Sequence, residues 1–177
     1  MAVIFSGIVL TLFLYNSPRH GLRGRPPWEL LNQLGYLLIL PFAIVLNQTP
    51  QLPWPSVLYL VLFCTHAHLM GEIMDAYPDQ KAGRRTTATA LGILPVKGII
   101  FALVLLEATL ITLLFRDFVL GGFLFFGAAF LLMDIAVFRD HSYSRNQFLL
   151  FGLGLNAAGF SSMAWVWFSG TLTRLPF

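Results

Sequence analysis

The sequence predicts an all-α fold: a polytopic membrane helix bundle of about six transmembrane helices, forming a single transmembrane domain over residues 1–177. Three observations carry this. Hydrophobic residues make up 57% of the chain and charged residues only 11%, whereas a soluble domain is about 25% charged. Mean hydropathy is +0.75. Apolar runs follow one another with short polar breaks and no soluble domain, linker or low-complexity segment between them. The single cysteine, Cys64, lies inside an apolar run and excludes a disulfide framework. The net charge of +3 sits in short loops and does not point to nucleic acid.

Six apolar segments span roughly 2–15, 30–47, 56–71, 95–115, 118–138 and 147–170. A spanning helix needs about 20 residues, with a lower limit near 17. The last three segments satisfy this and the second and third meet it narrowly. The first is short and lacks a basic leader and a small-residue cleavage site, so it does not read as a signal peptide. It reads as the tail of a helix that begins upstream. Basic residues set the expected orientation. Arg19, Arg23 and Arg25 share a side with Lys81, Arg84, Arg85, Lys97, Arg139 and Arg145, leaving Arg116 and Arg174 opposite. That imbalance makes the basic side cytoplasmic and sends both termini outward, as in a multi-pass protein of a bacterial plasma membrane.

The chemistry concentrates between Glu72 and Thr87. His68, Glu72, Asp75 and Asp79 are separated by four, three and four residues, which places them on one helical stripe. Pro78 disfavours helix at Tyr77, so the expected helix ends at Asp75, with Asp79 in a turn beyond. Charge this close to hydrocarbon is rare unless it has a function. Oxygen ligands favour Mg2+ over zinc, and His66 and His68, two apart, do not make a zinc pair. Gly83-Arg84-Arg85-Thr86-Thr87 follows, with a glycine for a tight turn, two planar guanidinium forks for phosphate, and hydroxyls to cap the next helix. Positive-inside anchoring explains the arginines alone but not the adjacent aspartates. A second basic loop runs from Tyr15 to Glu29 on the same side. It either holds a diphosphate from the other flank or meets lipid headgroups.

Glu107 lies near the middle of the fourth segment, as a functional candidate or as a partner for a neighbouring helix. Asp134 is expected to pair with Arg139. Gly121, Gly122, Gly127, Gly152, Gly154 and Gly159 mark close-packing faces, and the 17 phenylalanines are mainly core and lipid-facing.

Two patches resemble the UbiA superfamily of intramembrane prenyltransferases, nearest the branch of chlorophyll synthases and lycopene elongases. Asp75-x-x-x-Asp79-x-x-x-Gly83-Arg84-Arg85-Thr86-Thr87-Ala88 with Leu91-Gly92 looks like the family's second aspartate-rich motif. Tyr15-Asn-Ser-Pro18 through Arg23-Gly-Arg25-Pro26, then Leu31-Asn32 to Gly35-Tyr36, looks like the segment after its fourth helix. The likeness implies the C-terminal two-thirds of a nine-helix fold, helices four to nine. The family's first motif, of N-D-x-x-D type, has no counterpart in this sequence. Where the family often has P-P-x-R-x-K, this chain has Pro18, Arg19, Gly21 and Arg23, so glycine replaces an arginine while the last positive charge is kept.

The resemblance implies Mg2+-dependent transfer of a prenyl group from a prenyl diphosphate to a lipophilic acceptor of aromatic, tetrapyrrole or carotenoid type. Asp75 and Asp79 would hold the metal. Arg84 and Arg85, with Lys81 and Arg23, would neutralise the diphosphate, and Tyr15 and Asn32 are further substrate contacts. The missing first motif implies a partner: an N-terminal half, or a larger membrane complex in which this chain is a non-catalytic subunit. A phosphatidyl-alcohol transferase fits less well, since Gly83 comes four residues after Asp79 rather than directly after an aspartate.

Overall fold

The computed structural model describes residues 2–17, 21–38, 40, 41, 44, 45 and 54–169. Pro18, Arg19, Arg174 and part of the second expected segment lie outside the described residues. Those described form helices and no strand. In order they are α1 (Ala2–Asn16), a 3-10 helix (Trp28–Leu38), α2 (Trp54–Lys81), the short α3 (Thr87–Leu91), α4 (Ile93–Leu113), α5 (Phe118–Phe138) and α6 (Arg145–Ser169). Among the described residues, four helices are long and apolar enough to cross a membrane: α2, α4, α5 and α6. The chain is therefore an integral membrane protein by length and composition of its helices. The first expected span forms only 15 helical residues, about 22 Å at 1.5 Å per residue. The second begins as the 3-10 helix rather than an α-helix.

α4 is the centre of the bundle, packed on α2 at one side and on α5 at the other. Its buried face is Val96, Ile100, Val104, Ala108 and Ile111, spaced three and four apart as one helical stripe. Ile73 and Ala76 of α2 and Leu124 and Leu131 of α5 complete this core. Gly121 brings α5 close to α4, because a β-carbon there would meet the Thr112 hydroxyl. α6 leans on α5 and leaves most of its surface outward. Outward-facing Phe126, Leu106, Leu150 and Phe168 suit hydrocarbon rather than water.

Two buried polar pairs cross the core, one an ion pair and one a hydrogen bond to a histidine. Lys97 is fully buried and lies 2.6 Å from Asp134. This corrects the sequence reading twice: Lys97 is inside α4 rather than in the cytoplasmic loop, and Asp134 pairs with it rather than with Arg139. A lysine without solvent needs a fixed counter-charge, and the facing helix supplies it. The Lys97 ammonium also sits 5.0 Å from the centre of the Tyr143 ring. Burial, with the Asp134 carboxylate adding to it, pushes the Tyr143 phenol above its ordinary value. Deeper in, His66 Nδ1 lies 2.5 Å from Glu107 Oε1 and joins α2 to α4. Glu107 is thus a partner for a neighbouring helix.

A further correction concerns Pro78. α2 runs through it to Lys81, so both Asp75 and Asp79 are helical. Only the last turn follows the proline, and that turn is closed by other bonds. Gly83 N–H donates to Gln80 O at 3.1 Å and Arg84 N–H to Asp79 O at 2.8 Å. Gly83 has φ +67°. This is the left-handed glycine stop that satisfies the last helical carbonyls.

The Lys97–Asp134 pair yields a prediction. Lys97→Met strands a buried carboxylate and should cost about 3–5 kcal/mol. The double variant Lys97→Met/Asp134→Leu should recover most of that loss in thermal unfolding of the purified protein. A single variant as stable as the wild type would contradict the pairing.

Candidate functional site

The site grows from three chain reversals at one end of the bundle. After α1, the chain folds back on the helix: Leu22 N–H donates to Leu14 O at 2.9 Å and Arg23 N–H to Tyr15 O at 3.3 Å. Gly21 permits this, since a β-carbon there would lie 2.3 Å from Ser17 O and 2.7 Å from Tyr15 O. Any larger side chain at this position would force the backbone to shift. The second reversal is the Gly83 stop, which projects Arg84 and Arg85 beyond α2. At the third, Tyr77 of α2 donates to Asp140 O at 3.3 Å, so the loop after α5 shares this end. Arg23, Arg84, Arg85 and Arg139 thus gather at one end, and Arg116, between α4 and α5, lies at the other.

A cavity of about 640 Å³ opens there. It lies within the roughly 300–1,000 Å³ usual for small-molecule sites. Tyr15 at the end of α1, Arg23, Asp75 and Asp79 of α2, and Arg84 and Arg85 line it. The two aspartates are one helical turn apart and share a face of α2. Arg84 Nη1 donates to Asp79 Oδ1 at 3.3 Å. That leaves the second oxygen of Asp79 and both of Asp75 without an assigned partner in this contact.

Buried Glu29 and Glu72 and half-buried His68 line it as well. Thr87 N–H and Oγ1–H both donate to Glu29 Oε1, at 2.6 and 2.7 Å. Ala88 N–H donates to Glu72 Oε2 at 3.0 Å. Two carboxylates therefore satisfy the first free amides of α3. Thr86 caps the same helix: it accepts from Thr89 N–H and its own N–H donates to the Thr89 hydroxyl. Gln33 Nε2–H donates to His68 Nδ1 at 2.8 Å, which leaves the ring proton on Nε2, 3.0 Å from Glu72 Oε1. The 3-10 helix, α2 and α3 are locked together by these contacts.

Of the residues the sequence singles out, Tyr15, Arg23, Asp75, Asp79, Arg84 and Arg85 meet in this cavity. Lys81 does not line it and is exposed at the end of α2. Asn32 lines a separate, mainly apolar groove of about 450 Å³ between α1 and the 3-10 helix. Glu29 has no role in the sequence reading beyond closing the second basic loop, because its partner Thr87 is 58 residues away. A carboxylate at the start of an apolar run was the available signal. Glu72 belongs to the expected stripe, but its bond to Ala88 N–H makes it a brace for α3.

Among the described residues no three His, Cys, Asp or Glu side chains gather as a protein metal cage. The donor set that is present, two carboxylates on one face beside arginines, suits magnesium. That ion binds through one or two carboxylates and takes its other ligands from water and phosphate.

Gly21→Ala tests the first reversal. It should lower the thermal midpoint and displace Arg23, with a stability loss of about 1–3 kcal/mol from the forced backbone shift; an unchanged midpoint would show that the loop yields freely. No protein-family model, curated protein or solved structure matches this chain.

Proposed function

We propose that this chain forms the diphosphate-binding part of an intramembrane prenyltransferase of UbiA type, which moves an isoprenoid group from a prenyl diphosphate to a lipophilic acceptor. One observation carries the reading. Six residues chosen from sequence, spread from position 15 to position 85, line a single cavity at the arginine-rich end of a membrane bundle. The positive-inside rule puts that end in the cytoplasm, where soluble diphosphates are delivered.

The chemistry follows from the side chains. Asp75 and Asp79 would hold Mg2+, which when bound supplies positive charge to the diphosphate oxygens. Arg23, Arg84 and Arg85 offer guanidinium forks matched to the same oxygens. Leaving-group charge grows as the bond between the allylic carbon and the diphosphate oxygen breaks and its electron pair departs with the oxygen. Fixed cations at that point stabilise the transition state more than the ground state. Arg84 is held by Asp79 in advance, so little reorganisation is needed on its side. The apolar bundle beneath the cavity keeps water from the electron-poor prenyl carbon.

A second reading has its own support: this scaffold serves as a non-catalytic subunit. Gly152 and Gly159 of α6 have open space where a β-carbon would point. Asn156 is outward-facing between them. A partner helix packs well on such a face.

The discriminating experiment uses the chain reconstituted in liposomes, with any natural partner chain present. Labelled prenyl diphosphate should be consumed in a Mg2+-dependent reaction. Asp75→Ala and Asp79→Ala should each reduce turnover by at least about 100-fold, the order seen for loss of a transition-state electrostatic contact. Arg85→Gln should lower turnover by about tenfold or more. Unchanged turnover in both aspartate variants would remove their metal role. Absence of turnover together with stable assembly through α6 would favour the subunit.

A further inference from the structure

α6 carries polar groups on two faces, and only one face is used within the chain. Buried Ser162 donates to the Asp117 carboxylate that caps α5. Gly154 of the same face packs on Phe123 of α5. Asn156 is turned away from these contacts and is exposed. The apolar span of α6 runs from Arg145 to Trp165, so Asn156 lies near its middle, at hydrocarbon depth. One amide N–H of Asn156 donates to Gly152 O at 2.8 Å. Its second N–H and its side-chain oxygen have no partner among the described residues. A half-satisfied carboxamide in hydrocarbon, where water does not serve it, is a cost that a partner within the bilayer removes.

The residues in line with Asn156 define how that partner lies. Leu149, Asn156 and Met163 are seven apart and all exposed. Gly152 and Gly159 run beside them, with open space where a β-carbon would point. This is a heptad seam with its single amide at the central position. We infer that this face of α6 binds a second copy of the chain, the two helices parallel and Asn156 meeting its own counterpart. Two copies inserted in one bilayer share one orientation, so a symmetric contact brings each residue to its twin at the same depth. A carboxamide carries both donor and acceptor and therefore complements itself, which a carboxylate or an ammonium does not. The amide pair fixes which turn faces which, and the glycines let the backbones approach. Arg145 lies in the glycine row, but 11 residues from Asn156. That is about 16 Å along the helix, at its aqueous end, where crossing helices have separated. The inference rests on the α6 face of the subunit reading, for which it names the partner, and such a dimer is equally compatible with turnover.

The test places single cysteines in the full chain with Cys64→Ser, reconstituted in phospholipid vesicles at a dilution that suppresses collisions, and oxidises them. Leu149→Cys and Met163→Cys keep the amide and should give disulfide-linked dimers. Leu150→Cys and Ala157→Cys, each about 100° further round the helix, should not. All four positions are exposed, so their replacement disturbs no contact of the bundle. Stepwise photobleaching of singly labelled chains counts copies without any cross-link. The wild type should bleach in two steps. Asn156→Leu should weaken the dimer by about threefold to tenfold, and Asn156→Gln, which keeps the carboxamide, should retain most of it. Single-step bleaching of the wild type, equal cross-linking at all four positions, or an Asn156→Leu dimer as strong as the wild type overturns the inference. A different polypeptide joined to Leu149→Cys in the native membrane, in place of a second copy, also overturns it while leaving the subunit reading intact. Dimers that turn over prenyl diphosphate would uphold the inference and defeat the subunit reading.

Discussion

The whole site depends on how the start of α3 is satisfied. A helix exposes amides at its first turn, and here Thr87 and Ala88 of that turn are buried. Water is not available to those donors, so the protein must supply acceptors. Glu29 comes from the 3-10 helix and Glu72 from α2, and the two meet at Thr87 and Ala88. That single requirement ties three elements together. It also decides the shape of what lies above. With α3 fixed behind it and the Gly83 stop fixed before it, the segment carrying Arg84 and Arg85 has both ends held.

The same logic of compulsory pairing organises the rest of the bundle. Lys97 with Asp134 and His66 with Glu107 each bridge α4 to a neighbour. Such pairs add little net stability, since removing charges from water offsets their attraction. Their consequence is register: α4 cannot slide against α2 or α5 without stranding a buried polar group. The apolar stripe of α4 supplies the cohesion, and the polar pairs fix which turn faces which. A cavity lined by α1, the 3-10 helix, α2 and two loops keeps its geometry only if those registers hold. The arginines, by contrast, stay at the accessible rim, where they can meet a ligand from the aqueous side.

Much of this was legible in the sequence because it depends on local pattern. The apolar runs expected at 95–115, 118–138 and 147–170 form α4, α5 and α6 to within a few residues. The i, i+4 spacing of Asp75 and Asp79 offered a shared face, and although Asp79 was expected in a turn beyond the helix, both are helical and both line the cavity. Thr86 was readable as a cap. What was not legible depends on partners far away in the chain. Nothing near Lys97 announces Asp134, 37 residues on, so a basic residue beside a loop was read as part of it. Glu29 looked like one charge in a basic loop until Thr87 was seen against it. Pro78 misled for a different reason: its penalty is local, but the glycine stop five residues later compensates for it. Asn32 failed as a contact of the main cavity because resemblance orders residues along the chain and does not say which of two adjacent hollows they face.

The central claim is that paired carboxylates and arginines of one cavity hold a divalent cation and a diphosphate together. Electron–nuclear double resonance on Mn2+ substituted for Mg2+, with inorganic pyrophosphate present, reads that arrangement directly. The account predicts a 31P coupling to manganese that appears with the wild-type chain at concentrations where free pyrophosphate binds little metal, and that is lost in the Asp75→Asn/Asp79→Asn double variant. A spectrum of manganese identical with and without the protein, or a coupling indifferent to both substitutions, would contradict it.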